Sequence, residues 1–181
     1  MTELAPNPTK VATKWALIYL ITAIVITYIM QFGKLENNVA VKWLSYLPLI
    51  AFLFLAQKEY KDLLGGYIKF GEGFSVGFRF GMFSGILFAI FMYIYLTFLS
   101  PDVMDKILEM QSQNASASGA TADQIEKSGE FMKKFGVYFI PFGIAIWYAI
   151  IGVVLGLIGA AIFKKERSPF DTDTTTAEPT V

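Results

Sequence analysis

Arg79 and Glu72 are the side chains whose types and spacing first suggest chemistry. Seven helical residues turn to within about 20° of two full turns, so the two project along one line about 10.5 Å apart. A cation and an acid aligned on an apolar helix can form a substrate or lipid-phosphate site. A plainer reading competes: an arginine five residues into a membrane span reaches back to the headgroups and does nothing more. The plainer reading is preferred. Asp102, Asp105 and Glu109, at i, i+3 and i+7, are a second candidate, an acidic cluster for an enzyme working at a membrane surface. The same spacing describes the solvent face of any amphipathic helix. Gly71-Glu72-Gly73 resembles part of a phosphate loop, but no strand precedes it and no Gly-Lys-Ser/Thr follows.

Missing residue types narrow the chemistry further. The chain has neither histidine nor cysteine. That excludes disulfides, thiolate sites, a Ser-His-Asp triad and histidine-ligated haem, and it removes the usual ligands of a catalytic zinc. Lys plus Arg equals Asp plus Glu at 15 each, so there is no basic surplus to neutralise a nucleic acid. No acid falls inside the long apolar runs, whereas proton-coupled pumps need a carboxylate within the bilayer. The two halves show no internal repeat of the kind many transporters carry. The expectation is a protein that is not an enzyme and takes no cofactor or metal.

Four apolar runs must position whatever remains: 15–32, 39–56, 74–99 and 135–163. The first rises about 27 Å, close to the hydrocarbon thickness of about 30 Å. Lys10 and Lys14 precede it as in a signal peptide, yet its exit, Tyr28-Ile29-Met30-Gln31-Phe32, lacks a small-x-small cleavage pattern, so it reads as a retained span. The second is the weakest. Lys42 near its start can snorkel, Trp43 and Tyr46 suit the interfacial belt, and Pro48 should kink it. Only 33–38 separates the first two runs, which forces an antiparallel hairpin. The third and fourth exceed the bilayer thickness, and all four are far longer than the strands of a membrane barrel. The expected fold is all-α, an integral membrane bundle of four transmembrane helices over 15–165. An N-terminal segment, 1–14, precedes it, and a polar, disordered tail, 166–181, follows.

The connections carry their own signals. Gly65-Gly66 should stop the second helix near Leu64, leaving Tyr67, Ile68 and Phe70 in the headgroup layer. Ser100-Pro101-Asp102 is a helix start with Ser100 as the cap. Val103, Ile107 and Met110 then recur on one face, predicting a short amphipathic helix at the outer membrane–water boundary. Thr121 and Gln124 form a capping box that opens a further helix running through Lys133-Lys134 into the fourth span.

The most regular feature is glycine at 73, 77, 81 and 85, a zipper-like repeat in the third span, with Gly152, Gly156 and Ala160 as its counterpart in the fourth. Residues four apart share one helix face, so each series clears a groove into which another backbone can press. Chance spacing competes, since glycine is frequent in membrane helices, and it competes least for the run of four. The partner is another helix of the chain or of a second copy, with the first favoured. Arg79 lies on the side away from this groove.

Lysine and arginine set the orientation. Lys10, Lys14, Lys58, Lys61, Lys69, Lys164, Lys165 and Arg167, with Arg79, fall on one side, against Lys34, Lys42, Lys106, Lys127, Lys133 and Lys134 on the other. Both termini are expected in the cytoplasm.

Gly65-Gly66-Tyr67-Ile68 before the third run and Tyr93 within it make the first half of a longer pattern. Pro101-Asp102, Ile107-Leu108-Glu109-Met110-Gln111, Gln124-Ile125-Glu126 and Lys133-Lys134-Phe135 complete it. In order and spacing, over about 15–165, this resembles a bacterial family of four-helix inner-membrane proteins catalogued as domain of unknown function four-one-nine-nine. The family's pattern has an acid before the proline, where this chain has Ser100. The resemblance implies an architecture and a membrane address, and no activity. The leading expectation is a non-enzymatic scaffold, accessory subunit or self-associating bundle. Its partners would be membrane lipids and a second copy or another membrane protein. Alternatives are a passive channel or lipid-handling protein using Arg79, and a surface enzyme using Asp102, Asp105 and Glu109.

Overall fold

The computed structural model describes residues 6–33 and 39–166. Among these residues six α-helices follow in order: α1 (Pro8–Phe32), α2 (Val39–Leu44), α3 (Leu47–Leu63), α4 (Phe70–Ile94), α5 (Asp102–Ala117) and α6 (Ala122–Phe163). A π-helical turn, Tyr95–Leu99, extends α4. The tail from 167 onward and most of the 33–38 link lie outside the described residues, as do the side chains of Val39 and Lys42.

Local signals set most boundaries. The Asn7 side chain accepts the Thr9 N–H at 2.8 Å, with Pro8 opening α1. At α6 the Thr121–Gln124 capping box is made in both directions, and the helix then runs for 42 residues, about 63 Å, straight through Pro141. Gly65 and Gly66 adopt φ of 76° and 85°, which ends α3 at Leu63.

Three expectations change. The second apolar run is not one kinked span: it breaks at Ser45-Tyr46, and Pro48 opens α3 instead of bending it. α3 has 17 residues and gains a polar end at Gln57, Lys58 and Glu59, so three helices, not clearly four, are long and apolar enough to cross a membrane. Those three are Pro8–Phe32, Phe70–Leu99 and Ala122–Phe163. Ser100 does not cap α5; its hydroxyl accepts a hydrogen bond from Gln31 Nε2 at 3.0 Å, tying the end of α1 to the end of the π turn. Ile68 packs against protein instead of standing open on the surface. It is 2% exposed, and its backbone exchanges two hydrogen bonds with Lys165, at 2.9 and 3.0 Å.

The long helices alternate in direction. Lys14 and Trp15 of α1 meet Glu59 late in α3, while Ile68 before α4 pairs with Lys165 after α6. Lys14, Lys58, Lys61, Lys69, Lys164 and Lys165 therefore gather at one end. The core runs along the axis as narrow stripes: Ala12, Ala16 and Tyr19 of α1, Leu49, Leu53 and Ala56 of α3, and Val76 and Phe80 of α4. α5 folds back at the opposite end and drops Met104 against Gly136 of α6, so part of its apolar face is covered by protein.

Candidate functional site

α4 and α6 meet along the two small-residue faces. A Cβ placed on Gly73 would lie 3.2 Å from the Ala160 Cα; on Gly77, 2.7 Å from the Gly156 Cα; on Gly81, 2.5 Å from the Gly152 Cα. Each step of four forward on α4 meets a step of four back on α6, as antiparallel helices in register require. Gly85 continues the series, where a Cβ would come 2.7 Å from the Tyr148 Cβ and 3.0 Å from the Ala145 carbonyl oxygen. At Gly81 the three nearest atoms are all backbone and cannot swing aside; at Gly77 the nearest is the Gly156 Cα, with Gln57 Nε2 next at 2.8 Å. In lipid, where apolar burial gives helices little reason to associate, backbone-on-backbone contact of this kind holds them together.

One polar residue is built into this seam. Gln57 of α3 is fully buried and donates from Nε2 to the carbonyls of Gly73, at 2.9 Å, and Gly156, at 3.0 Å. The two acceptors fix which way the amide points. Its Oε1 has no hydrogen-bond partner and occupies the place a Cβ on Gly159 would take, 1.8 Å from it. α3, α4 and α6 are thus pinned at one point.

The charged candidates behave more simply. Glu72 accepts the Lys69 N–H at 2.8 Å as an N-terminal cap of α4. Among the described residues no ion pair joins it to Arg79, which is half-buried and away from the glycine seam. Asp102, Asp105 and Glu109 stand exposed on α5; Asp102 pairs with Lys106 at 3.6 Å and Glu109 accepts from Gln113 at 3.3 Å.

Beyond the seam, the Tyr19 and Tyr148 hydroxyls lie 2.6 Å apart, joining α1 to α6. Phe88 stacks on the Tyr148 ring at 5.6 Å. These tyrosines border a crevice of about 650 Å³ that extends toward α5. Ile26 and Met30 of α1, Met92 of α4 and Ile144 of α6 line its walls. α5 roofs it with Val103, Ile107 and Met110, and among the described residues Lys106 is the one charged residue in the lining. Tyr95, first residue of the π turn, also faces it, and π turns often occur where a helix is shaped around a site.

Sequence reading found both glycine faces and the Arg79–Glu72 spacing, and it missed Gln57, the tyrosine pair and the crevice. Gln57 had a signal: it falls in the stripe of Leu49, Leu53, Ala56 and Tyr60, at buried-face spacing. Tyr19 had one too, as the single large polar residue among Ala12, Ala16 and Ala23.

No curated protein and no solved structure matches the chain. A family model does, over residues 14–165, and on that match this chain, with its three long apolar helices and its roofed crevice, belongs to the family described as protein of unknown function (DUF4199).

Proposed function

We propose that the chain is a non-enzymatic multi-pass protein of a bacterial inner membrane, with four spans and both termini in the cytoplasm, acting as a scaffold or accessory subunit. The observation that carries this reading is the seam: α4 and α6 cover each other's glycines, and Gln57 locks α3 onto both, which makes a stiff core rather than a moving one. Because the glycines face each other within the chain, a second copy or another membrane protein would dock on the outward apolar faces. The fourth span is α3. With α2 ahead of it, the apolar part of α3 completes the 39–56 run, and the packing of α3 between α1 and α4 supports a full crossing. The lysines gathered at one end support the orientation. Lipid handling is a second reading, favoured by the crevice and by Arg79 at headgroup reach.

Reporter fusions test the topology. Those after Lys58 and Arg167 should read cytoplasmic and one after Gln113 periplasmic. With three spans instead of four, and the second run the one lost, the reporters at Lys58 and Arg167 would both read periplasmic, opposite the N-terminus, and the one at Gln113 cytoplasmic. Purification in mild detergent with mass spectrometry of copurifying proteins tests the scaffold role, and a protein that recovers no specific membrane partner would argue against it.

A further inference from the structure

We propose that the crevice between α1, α4, α5 and α6 holds one acyl chain of an anionic phospholipid drawn from the bilayer, with Lys106 at its mouth contacting the phosphate. The proposal rests on the reading of the chain as membrane-spanning. Its walls are mostly apolar, aliphatic and aromatic together, and three of the lining residues are methionines, Met30, Met92 and Met110, whose unbranched side chains adapt to a flexible ligand. Its volume, about 650 Å³, is that of a ligand site and not of a packing defect. The roof is an amphipathic helix, which places Lys106 where a headgroup lies when the chain beneath it is in the hydrocarbon.

Charge sets the headgroup. Lys106 brings three donors and a positive charge to the lining, and its 3.6 Å contact with Asp102 is exposed on both sides and contributes little. An independent observation comes from Gly143. Of the six glycines in α6, Gly129 and Gly143 have no atom within 4 Å of the position a Cβ would occupy, and of these two Gly143 lines the crevice. No packed neighbour requires a glycine there. Instead, Gly143 borders the crevice, and the missing side chain adds to its width.

The same geometry supplies the test. Gly143→Phe should put a ring into the crevice from a position where a Cβ meets no atom within 4 Å, and Lys106→Gln should remove the charge and leave the walls intact. The full chain is purified in detergent, stripped of lipid and mixed with dioleoyl phosphatidylglycerol or with the phosphatidylcholine of the same chains. Native mass spectrometry then counts bound lipid. The wild type should retain one phosphatidylglycerol per chain, favoured over phosphatidylcholine by about fivefold, the preference one lysine gives near a membrane surface. Lys106→Gln should abolish that preference while keeping the bound lipid. Gly143→Phe should retain neither lipid and melt no lower than the wild type. Equal retention by the wild type and Gly143→Phe, or equal retention of the two lipids by the wild type, would overturn the proposal. Release of the protein from membranes by alkaline carbonate would instead overturn the membrane-spanning reading beneath it.

Discussion

Replacing Gly81 by alanine adds a single methyl group at the tightest point of the seam. Its Cβ would stand 2.5 Å from the Gly152 Cα, 3.0 Å from the Tyr148 carbonyl oxygen and 3.1 Å from the Gly152 nitrogen, and all three are backbone atoms. Ordinary contact begins at 3.4 Å, so α6 must retreat by about 0.9 Å. A gap of about 0.5–1 Å forfeits a quarter to a half of the dispersion well of each contact it opens. Because helices are stiff, the contacts at Gly77 and Gly85 open as well. Overpacking costs about 1–3 kcal/mol, against which alanine gains about 1 kcal/mol of helix propensity over glycine. Gly81→Ala should therefore lose up to about 2 kcal/mol, and Gly81→Leu, with three more carbons, should fall at the top of the overpacking range. Gly143→Ala is the matched control: the same change, in a long apolar helix, with nothing within 4 Å. It should be neutral or gain up to about 1 kcal/mol. Gly73→Ala should fall between, since its Cβ clears Ala160 by 3.2 Å. Thermal denaturation of the purified variants in one detergent gives the order directly, with membrane insertion measured separately and expected to be normal in all. If Gly81→Ala melts with Gly143→Ala, the two helices do not meet backbone to backbone, and the seam is not the core of the protein.

Gly159→Ala drives its methyl into Gln57 Oε1, so it should destabilise the wild type more than it destabilises a Gln57→Ala background, a coupling of about 0.5–3 kcal/mol in a double-mutant cycle of melting curves. Tyr19→Phe and Tyr148→Phe should each cost about 0.5–1.5 kcal/mol, and the double variant little more than either, because each alone already breaks the 2.6 Å hydroxyl contact; additive losses would mean the hydroxyls act separately. Arg79→Lys should leave melting and lipid retention unchanged if the side chain only reaches the headgroups; a folded variant that loses lipid or a partner would show that the planar guanidinium fork recognises something.

What could be read from the sequence was local. The Thr121–Gln124 capping box, the Gly65-Gly66 stop and the four-residue glycine spacing each involve residues within a turn or two, and the structure places all three where local rules put them. Pro48 shows where such rules run out. A proline within an apolar run kinks a helix or begins one, and the choice depends on whether the preceding turn can unwind. Here Ser45 and Tyr46 unwind, and α3 starts afresh. Ser100 fails differently. Its sequence context is that of a cap, but Gln31, sixty-nine residues earlier, arrives within 3.0 Å and takes the hydroxyl. Gln57 looked like the first residue of a polar linker because its acceptors, the carbonyls of Gly73 and Gly156, come from elsewhere in the chain.

The fifteen glycines make the same point about function. Gly65, Gly66 and Gly119 supply backbone with φ above 75°, which other residues adopt at a cost. Gly77, Gly81 and Gly152 supply the absence of a side chain, because another helix lies within 3 Å of where one would be. Gly143 supplies neither. It sits in regular helix with open space before it, and it lines the apolar crevice beneath α5. Spacing separates the second group from the first, since a helix face repeats and a turn does not. It cannot separate the second from the third, because a packed face and a crevice wall are read from the same helix with the same periodicity. Only the neighbour distinguishes them. A stripe of small residues therefore states that something comes close or that something is admitted, and in this protein α6 does both, a few turns apart.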